Sequence, residues 1–337
     1  MKLKAVHATI RDVARRAEVS VATVSRVLNG LDNVRPAMRE RVEGAAAELG
    51  YVPHAGARSL SLARSHMIGV VLPDLYGEYY SEILRGVDRT ATANGLNVLL
   101  SNIHGDEARG IEVVRTMRGR VDGLVLMLPD IDTDRVLAAL PHSMPVVLVN
   151  CRDGEDLRSE IRIDNALGAT RVVRHLLDQG YRQIVHLAGP AFNTEAQVRA
   201  EAYRAEINAH DGSAEPLVIE GDFREESGVQ LVARILAGEV CTDAVFAAND
   251  MMAIGLMTAL REGGVDVPGQ IAVAGFDDIP LARFVTPGLT TARVDMYERG
   301  KQAVAMLSDA MERRAPRQIA DCVPELIVRG STPTKTT

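Results

Sequence analysis

Several things are missing from this sequence. It has no tryptophan and three cysteines in 337 residues. Cys151, Cys241 and Cys322 are odd in number, widely spaced and free of any C-x-x-C pair. A disulfide framework or a zinc site is therefore not expected, and a reducing compartment fits best. No apolar run approaches the roughly 18 residues of a membrane span. Lys2 and Lys4 are followed by Thr9 and charged residues instead of an apolar h-region, so no secretory signal is expected and the protein is placed in the cytoplasm. There is no Walker loop, no G-x-G-x-x-G after a strand, no H-E-x-x-H and no G-x-S-x-G. Those absences argue against an enzyme and give no reason to expect a cofactor. No sustained heptad precedes the C-terminus, so no coiled-coil assembly module is expected there.

What is present is unevenly distributed. The length implies two or three domains. Residues 1–64 carry 11 Lys and Arg against 6 Asp and Glu, a net +5, inside a chain whose formal charge is −7. The body is therefore acidic, and only the head suits a polyanion.

Residues 9–50 read as three short helices. Thr9 suits an N-cap, with Asp12 three positions on as an acidic variant of the capping box. Ile10, Val13, Ala14 and Ala17 follow at helical spacing. Ser20 caps a second helix with Val24, Val27 and Leu28 inward, stopped at Asn29-Gly30. Pro36 opens a third helix with Val42, Ala45, Ala46 and Leu49 inward and Gly50 closing it. The four-residue joint at 17–20 makes the first pair a helix-turn-helix. On the second helix Val21, Ala22, Ser25, Arg26 and Asn29 fall away from the apolar stripe. Small side chains there permit approach to DNA base edges, and Arg26 reaches guanine or phosphate. A helical bundle that binds nothing shows the same pattern, and the +5 charge favours DNA. Arg11, Arg15, Arg35, Arg39 and Arg41 are candidate phosphate contacts.

From Met67 short apolar runs alternate with amphipathic segments: MIGVVLPD, LNVLLSN, VDGLVLMLPD, MPVVLVN, RQIVHLAGP, AVFAAND and IAVAGFDD. This predicts parallel sheets with crossover helices. Asp74, Asn102, Asp130, Asn150, Asn249 and Asp277 sit just after those runs, at the strand ends where open parallel sheets bind ligands. Adjacent Asp277 and Asp278 point apart on a strand, so no metal pair is expected. His186 reads as a packed strand histidine. The segment 331–337 (STPTKTT) reads as a disordered tail.

TIRDVARRAEVSVATVSRVLNG (residues 9–30), V-R-P-x-x-R-x-x-V and ELGYVPHAGARSL resemble the DNA-binding head of the LacI/GalR family of bacterial transcription regulators. The resemblance continues through IGVVLPDLYGEYYSEILRGV, VDGLVLM, IDNALGA, HLLDQGYRQIVHLAGP, AANDMMAIGLM, VAGFDDIPLA and PGLTT, nearly the whole chain. It implies an all-α helix-turn-helix head and an α/β periplasmic-binding-protein-like core of two doubly wound parallel-sheet subdomains. The implied divisions are 8–53 (head), 54–64 (hinge helix), 65–166 with 294–324, 167–293 with 325–331, and 332–337 (tail). It also implies a homodimeric repressor on palindromic operator DNA, governed by a small-molecule effector.

Carried over by position, Val21 and Ala22 read the operator, while Thr9, Ser20, Thr23, Ser25, Arg26, Asn29 and Tyr51 contact groove or backbone. Leu60 is the minor-groove wedge, with Ala57 letting the hinge helix sit deep. His54 departs from the family's usual Asn, and Gly56 lowers hinge helicity. Effector contacts fall on Tyr79, Tyr80, Asn193, Arg199, Phe223, Asn249 and Asp277. Arg donors with Asn and Asp acceptors suit a sugar or polyol, although the missing tryptophan weakens a hexose. A sugar acid, sugar phosphate or nucleobase, or action with a corepressor, is the alternative.

Overall fold

The computed structural model describes residues 8–28, 34–52, 64–151, 158–210, 215–314 and 316–335. The chain divides into two compact units, residues 1–67 with 119–122, and residues 68–118 with 123–337.

The first unit holds α1 (Ile10–Arg16), α2 (Val21–Leu28) and α3 (Pro36–Glu48). Their facing stripes meet at Val13, Val24 and Val42, all with zero exposure, and at Ala14, Ala17, Val27, Ala45 and Ala46. Leu49 was expected inward but is exposed, because α3 leaves the core after Ala46 and Leu49 is only its C-cap. Gly50 then turns the chain back through the left-handed region (φ +58°), and Tyr51 packs against the core instead.

The second unit is built on two six-stranded sheets. The first runs in the order β11-β5-β4-β3-β1-β2 and the second β12-β10-β9-β8-β6-β7. The first comprises β1 (Met67–Leu72), β2 (Asn97–Asn102), β3 (Gly123–Leu126), β4 (Val146–Val149), β5 (Ser159–Ile163) and β11 (Ile319–Cys322). The second comprises β6 (Ile184–Ala188), β7 (Leu217–Glu220), β8 (Ala244–Ala247), β9 (Ala272–Asp277), β10 (Thr290–Arg293) and β12 (Glu325–Ile327). The β10–β12 pair is antiparallel, whereas β1–β3, β3–β4, β4–β5, β6–β8, β8–β9 and β9–β10 are parallel.

The helices between them are α4 (Glu78–Ala93), α5 (Glu107–Met117), α6 (Thr133–Leu137), α7 (Asn165–Asp178), α8 (Thr194–Ala209), α9 (Glu225–Leu236), α10 (Asp250–Glu262) and α11 (Met296–Met311). The chain passes between the sheet layers three times, after β5, β10 and β11. Strands β3, β4, β8 and β9 are buried along their whole length, as crossover helices on both faces require. Helices α4 and α11 cross so closely that a Cβ on Gly86 would strike the Tyr297 carbonyl, and one on Gly300 the Ile83 carbonyl.

The expected tail is not loose where it is described. Ser331 and Thr332 are buried, with Ser331 Oγ accepting from Thr290 N (2.8 Å) and donating to Val273 O (2.6 Å). Thr332 Oγ1 donates to Thr290 Oγ1 at 2.7 Å, and Lys335 pairs with Asp243. Hydroxyl-rich composition reads as disorder only until the hydroxyls find buried partners.

Candidate functional site

Two sites take shape, one in each unit. In the head, Thr9 N and Oγ1 donate to Asp12 Oδ2 at 3.0 and 2.7 Å. Those bonds, the side-chain one first, hold the Asp12 carboxyl below its ordinary value. Ser20 Oγ accepts from Thr23 N at 3.1 Å and lies 2.9 Å from Thr23 Oγ1, capping α2. Thr9, Ser20 and Thr23 are thus first of all capping groups. Beyond the cap, Val21 (42% exposed), Ala22 and Arg26 face solvent while Val24 and Val27 are buried, and Ser25 is half-buried with polar company of its own. The exposed face of α2 is therefore thin, as insertion in a major groove requires.

Arg41, one of the candidate phosphate contacts, is half-exposed; its guanidinium donates to Ala17 O (2.6 Å) and pairs with Glu18 (3.3 Å), tying α3 to the joint between α1 and α2. Among the other candidates, Arg15 pairs with Asp12 at 3.3 Å. Asn29, Ala57 and Leu60, with hinge residues 54–63, lie outside the described residues.

In the second unit, Tyr79, Tyr80, Asn193, Arg199, Phe223, Asn249 and Asp277 all border one cavity of about 520 Å³. Strand C-termini and helix N-termini converge there, as the crossover topology dictates. Tyr79 and Tyr80 come from the first turn of α4. Asn193 and Asn249 N-cap α8 and α10, their Oδ1 atoms accepting from Ala196 N (2.9 Å) and Met252 N (3.0 Å). Their amide nitrogens each give one further bond, Asn193 to Asp130 Oδ1 (2.6 Å) and Asn249 to Phe223 O (2.9 Å). Phe223, at φ +67°, lays its ring against Gly189, where a Cβ would collide with it.

Arg199 is 2% exposed and stands at the inner end of the cavity. Its Nε donates to Asn165 Oδ1 (2.8 Å) and one amino group to Ala248 O (2.6 Å), and the guanidinium lies 3.9 Å from the centre of the Phe276 ring. Its other amino group lies 3.5 Å from Glu195 Oε2, one helical turn back. Asp277 lies at the end of β9 with φ +111°, and its Oδ1 is buried without a partner. Burial raises its carboxyl well above the ordinary value against the pull of Arg199. Burial likewise pushes Glu195 up to about 7, with Arg199 opposing and Asp130 adding to the rise. Glu195 Oε1 and Tyr79 Oη are buried and unpartnered too.

The inner end thus holds one guanidinium and a set of buried polar atoms, carboxyl and phenol oxygens, without partners. Asp278 turns away to Arg293 (2.6 Å) and Arg329 (2.7 Å). No cluster of three or more His, Cys, Asp or Glu groups among the described residues could hold a metal ion. His186 packs on Phe246 and donates from Nδ1 to Phe246 O (2.8 Å), and burial lowers it to about 3. It is a neutral core residue.

Sequence reasoning missed Glu195, although an acid four residues before Arg199 on one helix is a recognisable pair. It noted Asp130 only as a strand end. It missed Tyr76 and Arg224 as well: Tyr76 Oη donates to Glu225 Oε2 at 2.6 Å, and Arg224 stacks 4.5 Å over its ring and pairs with Asp74 at 3.5 Å. These contacts join loops far apart in sequence and carry no local signal. Asn102 and Asn150 do not border this cavity.

Residues 9–54 match the model described as bacterial regulatory proteins, lacI family, and residues 173–332 that of a periplasmic binding protein-like domain. The chain is 36% identical over 332 residues to the ribose operon repressor of Escherichia coli (strain K12), covering 96% of this chain and 99% of that one. It is 33% identical over 330 residues to the HTH-type transcriptional repressor CytR of the same organism, covering 96% of each. The lac repressor dimer bound to operator and the anti-inducer ONPF superposes with a TM-score of 0.85 at 31% identity, covering 97% of this chain and 99% of that one. With a lacI-type head, a periplasmic-binding-protein-like core and relatives of this identity along almost its entire length, the chain belongs to the LacI family of bacterial regulatory proteins.

Proposed function

We propose that this protein is a sequence-specific transcriptional repressor that binds a palindromic operator as a homodimer and is controlled by a sugar or polyol in the core cavity. One observation carries the reading: a single chain holds both a thin, exposed recognition face on α2 and a cavity whose buried carboxyl and phenol oxygens lack partners. A ligand hydroxyl both donates and accepts, so it can satisfy either kind of group there. A sugar acid or sugar phosphate would bring its charge to a buried end whose guanidinium is already engaged by Asn165, Ala248 and Glu195, and is disfavoured. The relatives support the DNA role, since they are repressors by name and the lac repressor dimer is seen on operator. The family's members regulate, and the cavity lacks a nucleophile–base pair, so a regulator is inferred and not an enzyme. No helix among the described residues is long and apolar enough to cross a membrane, and the site of action is the cytoplasm, where the DNA is.

The test is a footprint of the purified protein on the DNA upstream of its own gene. A palindromic protected site is expected, whose sequence preference shifts when Val21 and Ala22 are exchanged for larger residues. Uniform retardation of all DNA, with no protected site, contradicts the reading. In the same reading Leu60 wedges the central base step, so Leu60→Ala should lower specific affinity and operator bending while sparing non-specific binding. Unchanged bending refutes that role.

A further inference from the structure

We propose that the effector has two parts, an uncharged polyhydroxylated ring at the buried end of the cavity and a second ring seated on Phe192 at its mouth. This rests on the effector reading above and narrows its ligand class.

The cavity is graded in polarity. At the inner end stand Arg199 (2% exposed), Asp277 (8%) and the Glu195 side chain (11%), with the unpartnered polar atoms already described. At the outer end Phe192 is 67% exposed, in the turn between β6 and α8, and is part of no apolar core cluster among the described residues. A lone exposed phenylalanine is unremarkable on an open surface. This one borders a cavity, and a flat ligand face would cover it.

Size points the same way. The cleft flanks are already bridged by Asn193 to Asp130 (2.6 Å), Tyr76 to Glu225 (2.6 Å) and Leu281 N to Glu78 (2.9 Å). The 520 Å³ is therefore the volume of a cleft whose walls touch on both sides. Ligands of drug size fill cavities of roughly 300–1,000 Å³, and a single pentose or hexose leaves much of this one empty.

Charge limits the class further. Asp74, Asp130, Glu195, Glu220, Asp222 and Asp277 border the cavity against two guanidiniums, Arg199 and Arg224, and Arg224 is paired with Asp74. Arg199 is itself engaged by Asn165, Ala248 and Glu195, so an anionic group finds no unpaired cation there. The shared chemistry is an uncharged polyol ring joined to a second ring with an apolar face, which a nucleoside or a disaccharide provides.

Calorimetric titration of the full chain with ribose, ribose 5-phosphate, adenosine, glucose and cellobiose tests the inference. One two-ring probe should bind at least about tenfold more tightly than its one-ring counterpart, the equivalent of one aromatic stacking contact. Binding of adenosine points to a nucleoside and of cellobiose to a disaccharide. Phe192→Ala should lower that affinity about tenfold, and Phe192→Tyr should retain it. Equal affinity for one-ring and two-ring probes overturns the second ring alone and leaves the polyol site standing. Tighter binding of ribose 5-phosphate than of ribose overturns the uncharged class. If no uncharged probe binds, the polyol reading of the cavity fails and this inference with it.

Discussion

Replacing Glu195 by glutamine isolates the electrostatics of the cavity. Burial pushes the Glu195 carboxyl from an ordinary 4.5 up to about 7. The folded state therefore holds the proton more tightly than the unfolded chain does. Stability from this group is complete below pH 4.5 and is lost as pH rises through 7. The interval between those two values corresponds to about 3 kcal/mol of stability lost by the wild type. Glutamine keeps the shape and cannot ionise, so the loss disappears. Removing the contact with Arg199 adds an offset above pH 7 but does not reverse the trend. Urea unfolding of both proteins at several pH values between about 5 and 8 reads the difference directly. The stability of Glu195→Gln relative to wild type should rise with pH by about 2–3 kcal/mol across that window. A difference that stays constant to within about 0.5 kcal/mol refutes a buried, titrating Glu195.

Other variants probe separate parts of the account. Arg199→Ala leaves Asn165 Oδ1 and Ala248 O without their donor and the cavity carboxylates without their cation, and should cost about 3–5 kcal/mol in urea unfolding. It should also abolish the effector response, and a retained response places the clamp elsewhere. Gly86→Ala drives a Cβ into the Tyr297 carbonyl and should destabilise by about 1–3 kcal/mol; an unchanged thermal midpoint contradicts the close crossing of α4 and α11. Deleting residues 331–337 removes the Ser331 bonds to Thr290 and Val273 and should cost about 1–3 kcal/mol for each buried group left unpaired. A truncated protein of wild-type stability shows that the tail is not docked.

How legible the molecule is in its sequence varies by element. The seven apolar runs from MIGVVLPD to IAVAGFDD all become strands; six of them are buried parallel strands, which must be continuously apolar, and LNVLLSN forms the half-exposed edge strand β2. Strands β5 (SEIRI), β10 (TTAR), β11 (IADC) and β12 (ELI) escape notice because they are short, polar and near the crossings, and edge strand β7 (LVIE) is half-exposed. Six of the seven proposed effector residues follow a strand or open a helix, and Arg199 reaches the same cavity from the second turn of α8; strand ends such as Asn249 and Asp277 are visible as polar residues after apolar runs. Their roles were less legible. Asn193 and Asn249 are caps as well as cavity residues, which N-T-E-A and N-D-M-M spell out on inspection. The Arg41 contact with Glu18 was not legible, because an arginine's partner across 23 positions leaves no local trace.

In the proposed function, ligand in the core cavity controls the head's hold on DNA. Fluorescence anisotropy of the full chain on its labelled upstream operator, with and without the sugar or nucleoside bound most tightly in the calorimetric series, tests this directly. Saturating ligand should change operator affinity by about 5- to 150-fold, and operator should change ligand affinity by the same factor. Tight ligand binding that leaves operator affinity unchanged contradicts the claim.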